Sequence, residues 1–315
     1  MSRALTGLAL STTAVGALCT LGASIAFTVN DMAIKSLSGG YALHQVVLIR
    51  SAIGLAILLA VILPLTGGLS QMRTRQPGKH LIRGLFVLGS NMAFYAALAV
   101  MPIADATAIF FVSPLMIALF SVVFLGERVG PHRWGAIAAG LLGALIMIRP
   151  GTESFTAVAL LPLLAAAGYA GLQVMTRAMG LGERATTMAF YTQMTFLSFS
   201  MAMGLVAGDG RFDPGGDSAG AFLLRAWSWP EAADWPFFLL AGVGTALGGL
   251  LIAQAYRICE AALVAPLEYI AMPIAIFWGL VVFGEWPDSI AWIGISLILG
   301  GGIYMIFRET RAARK

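Results

Sequence analysis

Glu268 is the acidic residue whose surroundings point most directly to chemistry, because it lies inside a long apolar segment. The segment reads VAPLEYIAMPIAIFWGLVVF (264–283), and Pro266 and Pro273 flank the carboxylate. A charge at the centre of a bilayer costs on the order of 2.5–3.5 kcal/mol on insertion scales, so such a residue commonly marks a site. We therefore predict a substrate or proton site at Glu268. The alternative is a structural carboxylate bound to Arg50 or to a backbone group.

Three more ionisable residues, Asp31, Arg50 and His44, are candidates for gating or coupling. Arg50 also lies well inside an apolar segment, and its long side chain favours a structural role. Asp31 precedes Lys35 by four residues, so an ion pair between the two is the alternative to a site role. His44 could titrate near neutral pH, and simple exposure to solvent at the membrane surface is the alternative.

Two pairs of polar side chains, each four residues apart, would share one helix face. The pairs are Asn91 with Tyr95 and Tyr169 with Gln173, and Tyr269 follows Glu268 directly. These side chains could bind a polar ligand through hydrogen bonds and stacking. The alternative is that they only join neighbouring helices, at about 0.6 kcal/mol per hydrogen bond.

Motifs for metal binding and catalysis are missing from the sequence. Cys19 lies in the first apolar block and Cys259 in a short loop, and we predict neither a disulfide, nor a metal site, nor a cofactor. No HExxH, no neighbouring Ser and His pair and no nucleotide-binding segment occurs, so we do not expect an enzyme. The sequence has no basic stripe with interleaved aromatic residues, so we do not expect a nucleic acid partner. A channel or a receptor would remain as less favoured alternatives to a carrier.

The elements that must position these residues are apolar blocks. Of the 315 residues, 59% are hydrophobic and 11% charged, against roughly 25% charged in soluble domains. Each block is about 20 residues long, the length that crosses a bilayer. The fold class is therefore all-α integral membrane, with ten predicted spans: 10–34, 42–65, 81–100, 104–125, 132–149, 156–178, 186–207, 235–256, 261–283 and 289–307. The segment 208–234 is expected to be an outer loop lying against the membrane surface.

The distribution of Lys and Arg predicts the orientation of these spans. With both termini in the cytoplasm, the outer segments hold four of the 19 basic residues, Arg50 lies within a span, and the others fall on the inner side. Positive charge is enriched in cytoplasmic loops. We therefore expect a multi-pass inner (plasma) membrane protein with both ends in the cytoplasm.

Two stretches from opposite halves of the chain resemble each other. In 120–148 and 278–306, aligned without gaps, Gly126-Glu127 matches Gly284-Glu285, and Trp134 matches Trp292. Because each half holds five predicted spans, the second copy must enter the bilayer from the opposite side. This pattern predicts a 5+5 inverted repeat, the arrangement from which alternating-access carriers are built.

The two Gly-Glu turns, each preceded by a Pro-containing span, resemble the paired halves of EamA-type permeases of the drug/metabolite transporter superfamily. The pieces HQVVLIR (44–50), ADATAI (104–109) and APLEYIAMPIAIFWGLVVFGEWPD (265–288) are similar to bacterial S-adenosylmethionine uptake transporters, and to related riboflavin and metallophore carriers. The resemblance implies two EamA repeats, 1–150 and 151–315. Glu268 departs from it, because the S-adenosylmethionine carriers have an arginine at this position.

These observations predict a secondary-active carrier that moves a small polar or zwitterionic metabolite across the inner membrane by alternating access. A substrate with a cationic amine is favoured, because Glu268 is the deepest anionic candidate. Efflux of a metabolite, riboflavin or metallophore is the alternative. The expected partners are the substrate and the lipid bilayer, with a homodimer as an open possibility.

Overall fold

A computed structural model describes residues 12–126, 130–149, 156–259 and 264–312, and within these ranges the regular structure is helical. Apolar helices are expected here, since a helix satisfies every backbone polar group within its own segment. The first half contains α1 (Thr12–Leu37), α2 (Leu43–Ile57), α3 (Pro77–Leu98), α4 (Ile103–Phe110), α5 (Ser113–Leu125) and α6 (Pro131–Ile148). Helix α2 continues through a π-helical turn, Leu58–Ile62, into a short helix, Leu63–Thr66.

The second half also contains long apolar helices. It contains α7 (Leu160–Met179), α8 (Ala185–Ala207), α9 (Ala219–Leu224), α10 (Trp235–Ile258), α11 (Ala271–Phe283) and α12 (Ser289–Ala312). Six stretches are long and apolar enough to cross a membrane: Thr12–Leu37, Leu43–Thr66, Pro77–Leu98, Ile103–Leu125, Ala157–Gly182 and Trp235–Ile258. These agree with six of the predicted spans to within several residues, and the full set of ten stays a prediction.

The helices pair across the two halves. Helix α1 packs along α10, α3 along α7, α2 against α8, and α6 against α12. Small residues allow the close approaches: a Cβ added at Gly244 would lie 2.6 Å from the Ala26 carbonyl oxygen of α1, and one added at Gly143 would lie 2.8 Å from the Gly294 carbonyl oxygen of α12. Gly244 and Gly143 therefore serve helix packing, as small residues commonly do in membranes.

Two predicted spans are broken where continuous helices were expected. The span 104–125 is interrupted between α4 and α5, next to Pro114, whose ring lacks the N–H that would continue the helix. The span 261–283 begins with a 3₁₀ segment, Ala265–Ile270, before α11. Both breaks lie in corresponding spans of the two halves. Discontinuous helices of this kind are typical of the binding sites of transporters.

The segment 208–234 differs from a loop that simply lies on the membrane surface. It contains α9, whose Phe222 is buried in the main core, and it folds over the turn between α1 and α2. The guanidinium of Arg225 donates to the carbonyl oxygens of Ser38 and Gly39, at 3.0 and 2.5 Å. Tyr41 donates to Asp234 at 2.6 Å. Burial, and then the neighbouring Asp234 carboxylate, raise the pKa of the Tyr41 hydroxyl.

Candidate functional site

A cavity lies between the two halves, bounded by residues from both. About 140 Å³ of its interior is open to the centre of a water molecule, which leaves room for several waters or for part of a small ligand. Its charged lining consists of Asp31, Arg50, Arg83 and Glu268. Seven aromatic side chains also line it: Phe27, Phe94, Tyr95, Phe110, Phe111, Tyr169 and Phe196.

Glu268 is held at one side of the cavity by two tyrosines. The Tyr169 hydroxyl donates to Oε2 at 2.6 Å, and the Tyr256 hydroxyl donates to Oε1. The 3₁₀ segment at the broken span carries the carboxylate, while the tyrosines come from α7 and α10. The expected alternative, an ion pair with Arg50, is wrong, because the carboxylate's partners are uncharged hydroxyls. Glu268 is therefore buried, hydrogen-bonded and in contact with the cavity.

Arg50 is 1% exposed and holds three other helices through uncharged groups. Its Nη1 donates to Asn30 Oδ1, Tyr95 Oη and Thr245 Oγ1 at 3.1, 3.2 and 3.1 Å, and its Nη2 donates to Asn91 Oδ1 at 3.0 Å. The predicted pair Asn91 and Tyr95 thus shares one face and meets the arginine. This geometry favours the expected structural role of Arg50, although its side chain also lines the cavity.

Arg83 is a buried cavity residue that the sequence did not reveal. We counted it with the cytoplasmic charges, but it is 5% exposed and lies in the cavity lining. Its Nε donates to Thr176 at 2.8 Å, and its Nη1 donates to the Thr192 hydroxyl at 2.8 Å and the Met188 carbonyl at 3.1 Å. Helix α3 begins at Pro77, so Arg83 lies six residues, or about 9 Å, inside it. Its place as the third residue of the predicted span 81–100 was the available signal.

The comparisons with known proteins agree with this geometry. The model of the EamA-like transporter family matches residues 14–149. A riboflavin transporter of Rhizobium johnstonii is 31% identical over 96% of this chain and 94% of its own. The chain belongs to the EamA-like transporter family. It is accordingly a multi-pass membrane protein of the transporter class, as predicted.

Further relatives of this EamA-like transporter are named for different substrates. A riboflavin transporter of Vibrio cholerae is 30% identical over 95% of each chain. An S-adenosylmethionine uptake transporter of Rickettsia felis is 23% identical over 78% of this chain and 77% of its own. A solved crystal structure, 22% identical, superposes with a TM-score of 0.67 over 94% of this chain and 98% of that chain, which shows the fold alone.

The expected ion pair between Asp31 and Lys35 is absent from this EamA-like transporter. Lys35 Nζ instead contacts Glu285 Oε1 and Oε2, at 2.7 and 3.0 Å, and donates to the Met101 carbonyl at 2.6 Å. Glu285 Oε2 also accepts from the backbone N–H of Ile103 at 3.0 Å. Through these contacts, Glu285 links α1 to the start of α4. Glu127, its counterpart, lies outside the described residues.

Asp31 remains in the cavity and is linked to Arg50 through one amide. Asn30 Nδ2 donates to Asp31 Oδ1 at 2.9 Å, while Asn30 Oδ1 accepts from Arg50. Asp31 and Arg50 lie near the ends of α1 and α2 that meet in a hairpin. Arg83 lies near the start of α3 and Glu268 near the start of the broken span 261–283, both on the side away from that hairpin. The cavity therefore has one carboxylate and one guanidinium toward each of its two ends.

Two predicted site residues lie outside the cavity lining. His44 is 2% exposed and contacts the Leu223 carbonyl at 3.0 Å, beneath the loop 208–234, so the expectation of a solvated histidine is wrong. Tyr269 packs against Phe111, with ring centroids 5.5 Å apart, in a hydrophobic cluster that includes residues of α4, α6 and α12. Gln173, by contrast, lines the cavity, and its Nε2 has no hydrogen-bond partner among the described residues.

Proposed function

We propose that this EamA-like transporter is a secondary-active carrier for a flat heteroaromatic metabolite without net charge, of the riboflavin class. The observation that carries the proposal is the composition of the cavity wall. Seven aromatic side chains contribute to it, and the formal charges of Arg50 and Arg83 balance those of Asp31 and Glu268. A ligand with no net charge therefore meets no excess of either sign, since fixed charges of one sign would favour the opposite ion.

The ring geometry supports a stacked ligand. Phe110 lies between Phe94 and Tyr169, with centroid separations of 5.0 and 5.3 Å and tilted planes. Aromatic pairs at such separations contribute about 0.5–1.5 kcal/mol beyond the area they bury. A planar heterocycle could stack in this group, while Gln173 and Asn91 offer amide groups to its polar edge. Relatives at 31% and 30% identity carry the name riboflavin transporter, which favours the same class.

A cationic or zwitterionic metabolite, such as an S-adenosylmethionine-like compound or an amine, is the second candidate. Glu268 favours it, because a buried carboxylate at the cavity attracts a positive group. The two tyrosine donors weaken this candidate, since they already stabilise the carboxylate without a cation.

We also propose that the chain works by alternating access, as two inverted halves of five spans, 1–150 and 151–315. The pairing of α1 with α10 and of α3 with α7 is what a twofold relation between halves would produce. The left-handed Gly126 and Gly284, with φ of 69° and 67°, end corresponding helices. The charge distribution favours the inner membrane, with both termini in the cytoplasm.

Riboflavin binding to the detergent-purified protein tests the substrate class. We expect saturable quenching of flavin fluorescence as the ring stacks in the cavity. Phe110→Leu removes a ring but keeps the apolar volume, so the affinity should fall roughly tenfold, equivalent to about 1.4 kcal/mol. Phe212→Leu, in the exposed part of the loop 208–234, is the matched control and should bind like wild type.

Counterflow in proteoliposomes then tests transport without assuming its direction. Vesicles loaded with unlabelled riboflavin should accumulate labelled riboflavin transiently. Phe110→Leu should need a higher riboflavin concentration for half-maximal exchange. If S-adenosylmethionine or an amine stabilises the protein and riboflavin neither binds nor exchanges, the second candidate replaces the first. Leakage that does not saturate would contradict a carrier.

A further inference from the structure

We infer that a second site, separate from the cavity, binds the phosphate headgroup of an anionic phospholipid. The site is a pocket at the membrane face where α2 ends and α8 begins, closed by the last turns of α10. About 290 Å³ of it is open to the centre of a water molecule. It shares no lining residue with the cavity.

Two arginines, Arg184 and Arg257, provide the charge of this pocket. Neither forms a salt bridge with a described acidic residue. Arg257 is oriented by the protein itself: its Nε donates to the Glu183 carbonyl at 2.8 Å and its Nη1 donates to Gln254 at 3.1 Å. Arg184 is exposed and immediately precedes α8. The pocket therefore presents positive charge that no acidic residue in the described part of the chain pairs with.

The other polar groups of the pocket bond to one another. Thr186 donates to Gln71 Oε1 at 2.7 Å, Gln71 Nε2 donates to Thr66 at 3.1 Å, and Thr66 donates to a backbone carbonyl. The carboxylate of Glu183, the residue before Arg184, accepts from Thr74 and lies 3.7 Å from His80 Nε2. The arginines are thus the groups left to bind a ligand, and guanidinium groups match phosphate oxygens in shape and charge.

An apolar stripe leads from the pocket along the outside of α10. Leu240, Val243 and Leu247 are 41%, 39% and 41% exposed, and Leu250 continues the stripe into the pocket wall. Gln254 follows at the next position of the same helix face. The stripe from residue 240 to residue 250 rises about 15 Å, close to half of a hydrocarbon core of about 30 Å. An acyl chain could lie along it while its headgroup meets the arginines.

The combination of a basic pocket and a leaflet-deep apolar stripe distinguishes a lipid from a soluble anion. Basic pockets between transmembrane helices are known to bind anionic headgroups, at about 1 kcal/mol per Lys or Arg near the surface. A soluble phosphate would use the arginines only. The same chemistry is shared by both ligands, so the apolar stripe is the feature that favours the lipid.

Native mass spectrometry of the purified full-length protein tests the inference. Phosphatidylglycerol is the anionic probe. Phosphatidylcholine is the control lipid without net charge, and glycerol phosphate is the control for a soluble headgroup. We expect wild type to retain phosphatidylglycerol preferentially and glycerol phosphate not to compete at equal concentration. Arg184→Gln should weaken phosphatidylglycerol binding about fivefold, the equivalent of about 1 kcal/mol.

Matched variants separate loss of the site from loss of the fold. Arg184→Lys keeps the charge and should restore most of the binding. Arg211→Gln removes an exposed arginine in the loop 208–234, outside the pocket lining, and should bind like wild type. Equal retention of the two lipids, or equal binding by Arg184→Gln and Arg211→Gln, would overturn the inference. Effective competition by glycerol phosphate would also overturn it, and would indicate a soluble anion instead.

Discussion

At the scale of single residues, the cavity depends on charges that uncharged groups hold in place. Arg50 and Arg83 use carbonyl, amide and hydroxyl acceptors, and Glu268 uses two tyrosine hydroxyls. In a membrane interior each buried polar group needs such a partner, since hydrocarbon supplies none. A substitution that removes one partner therefore affects the remaining charge as well as the lost hydrogen bond.

Tyr256→Phe removes one of the two donors to Glu268 and leaves its Oε1 without that bond. We expect a loss of about 1–3 kcal/mol of stability, because a buried acceptor loses its partner. Thermal unfolding in detergent measures it. The cost should be clearly smaller in the Glu268→Gln background, where no charge needs the donor. Equal costs in the two backgrounds would show that the hydroxyl stabilises something other than the carboxylate.

Arg50→Lys tests whether the guanidinium joins helices rather than binds substrate. A lysine cannot reach acceptors on α1, α3 and α10 at once, so we expect a marked fall in melting temperature. Arg75→Lys, at an exposed position, is the control and should leave the melting temperature unchanged. Unchanged stability together with weakened riboflavin binding would assign Arg50 to the substrate instead.

Sequence patterns predicted that Glu268 and Arg50 lie well inside apolar spans, and the structure buries both, but the patterns did not indicate their partners. Periodicity places Asn91 and Tyr95 on one helix face, and the structure brings both to Arg50. The choice of Tyr169 and Tyr256 for Glu268 depends on how α7 and α10 approach the broken span, which spacing within one helix does not specify. Arg83 escaped notice because an arginine near the end of a span is as compatible with a loop as with the cavity.

At the scale of helices, the tight contact between α6 and α12 depends on two glycines. Gly143→Ala should destabilise the protein by about 1–3 kcal/mol, because the added Cβ would lie 2.8 Å from the backbone oxygen of Gly294. Gly89→Ala, on α3, meets no atom within 4 Å and should be neutral or stabilising by up to about 1 kcal/mol. Equal melting temperatures of the two variants would show that the contact is not tight in the membrane.

The positions of the long helices were predictable, while the breaks within them were not. Hydropathy places a span near 104–125, but Pro114 alone does not say whether a helix kinks or stops. Neighbouring helices and polar groups decide this by satisfying the freed backbone. The fold of the loop 208–234 was missed for a similar reason, because Phe222 and Arg225 find their partners on the distant α1–α2 hairpin and the core.

At the scale of the whole molecule, Lys35 and Glu285 join the two halves at one end of the cavity. Lys35 is on α1, while Glu285 follows α11 and also binds the N–H of Ile103. Under the proposed alternating-access mechanism, these contacts must separate when the cavity opens on that side. In the structure they join the two halves at this end.

Glu285→Gln should favour opening at that end, because the neutral amide binds Lys35 less strongly. A cysteine introduced at Thr107, which lines the cavity on α4, reports the opening in a background without Cys19 and Cys259. We expect an impermeant thiol reagent to label it several-fold faster than in the parent. The exposed variant Asp217→Gln, in the loop 208–234, should label like the parent. Unchanged labelling in Glu285→Gln would show that this contact does not limit opening.

The tyrosine hydroxyls that surround Glu268 also bear on turnover. In a net transport cycle, a carrier must at some point return to its starting orientation without substrate. An unpaired charge inside the empty cavity would make that step costly. Here the water around the carboxylate was removed once, when the chain folded, and the hydroxyls replaced it. If the proposed carrier mechanism holds, the unloaded protein reorients without an unsolvated carboxylate, and preloaded vesicles should release substrate into a medium that contains none.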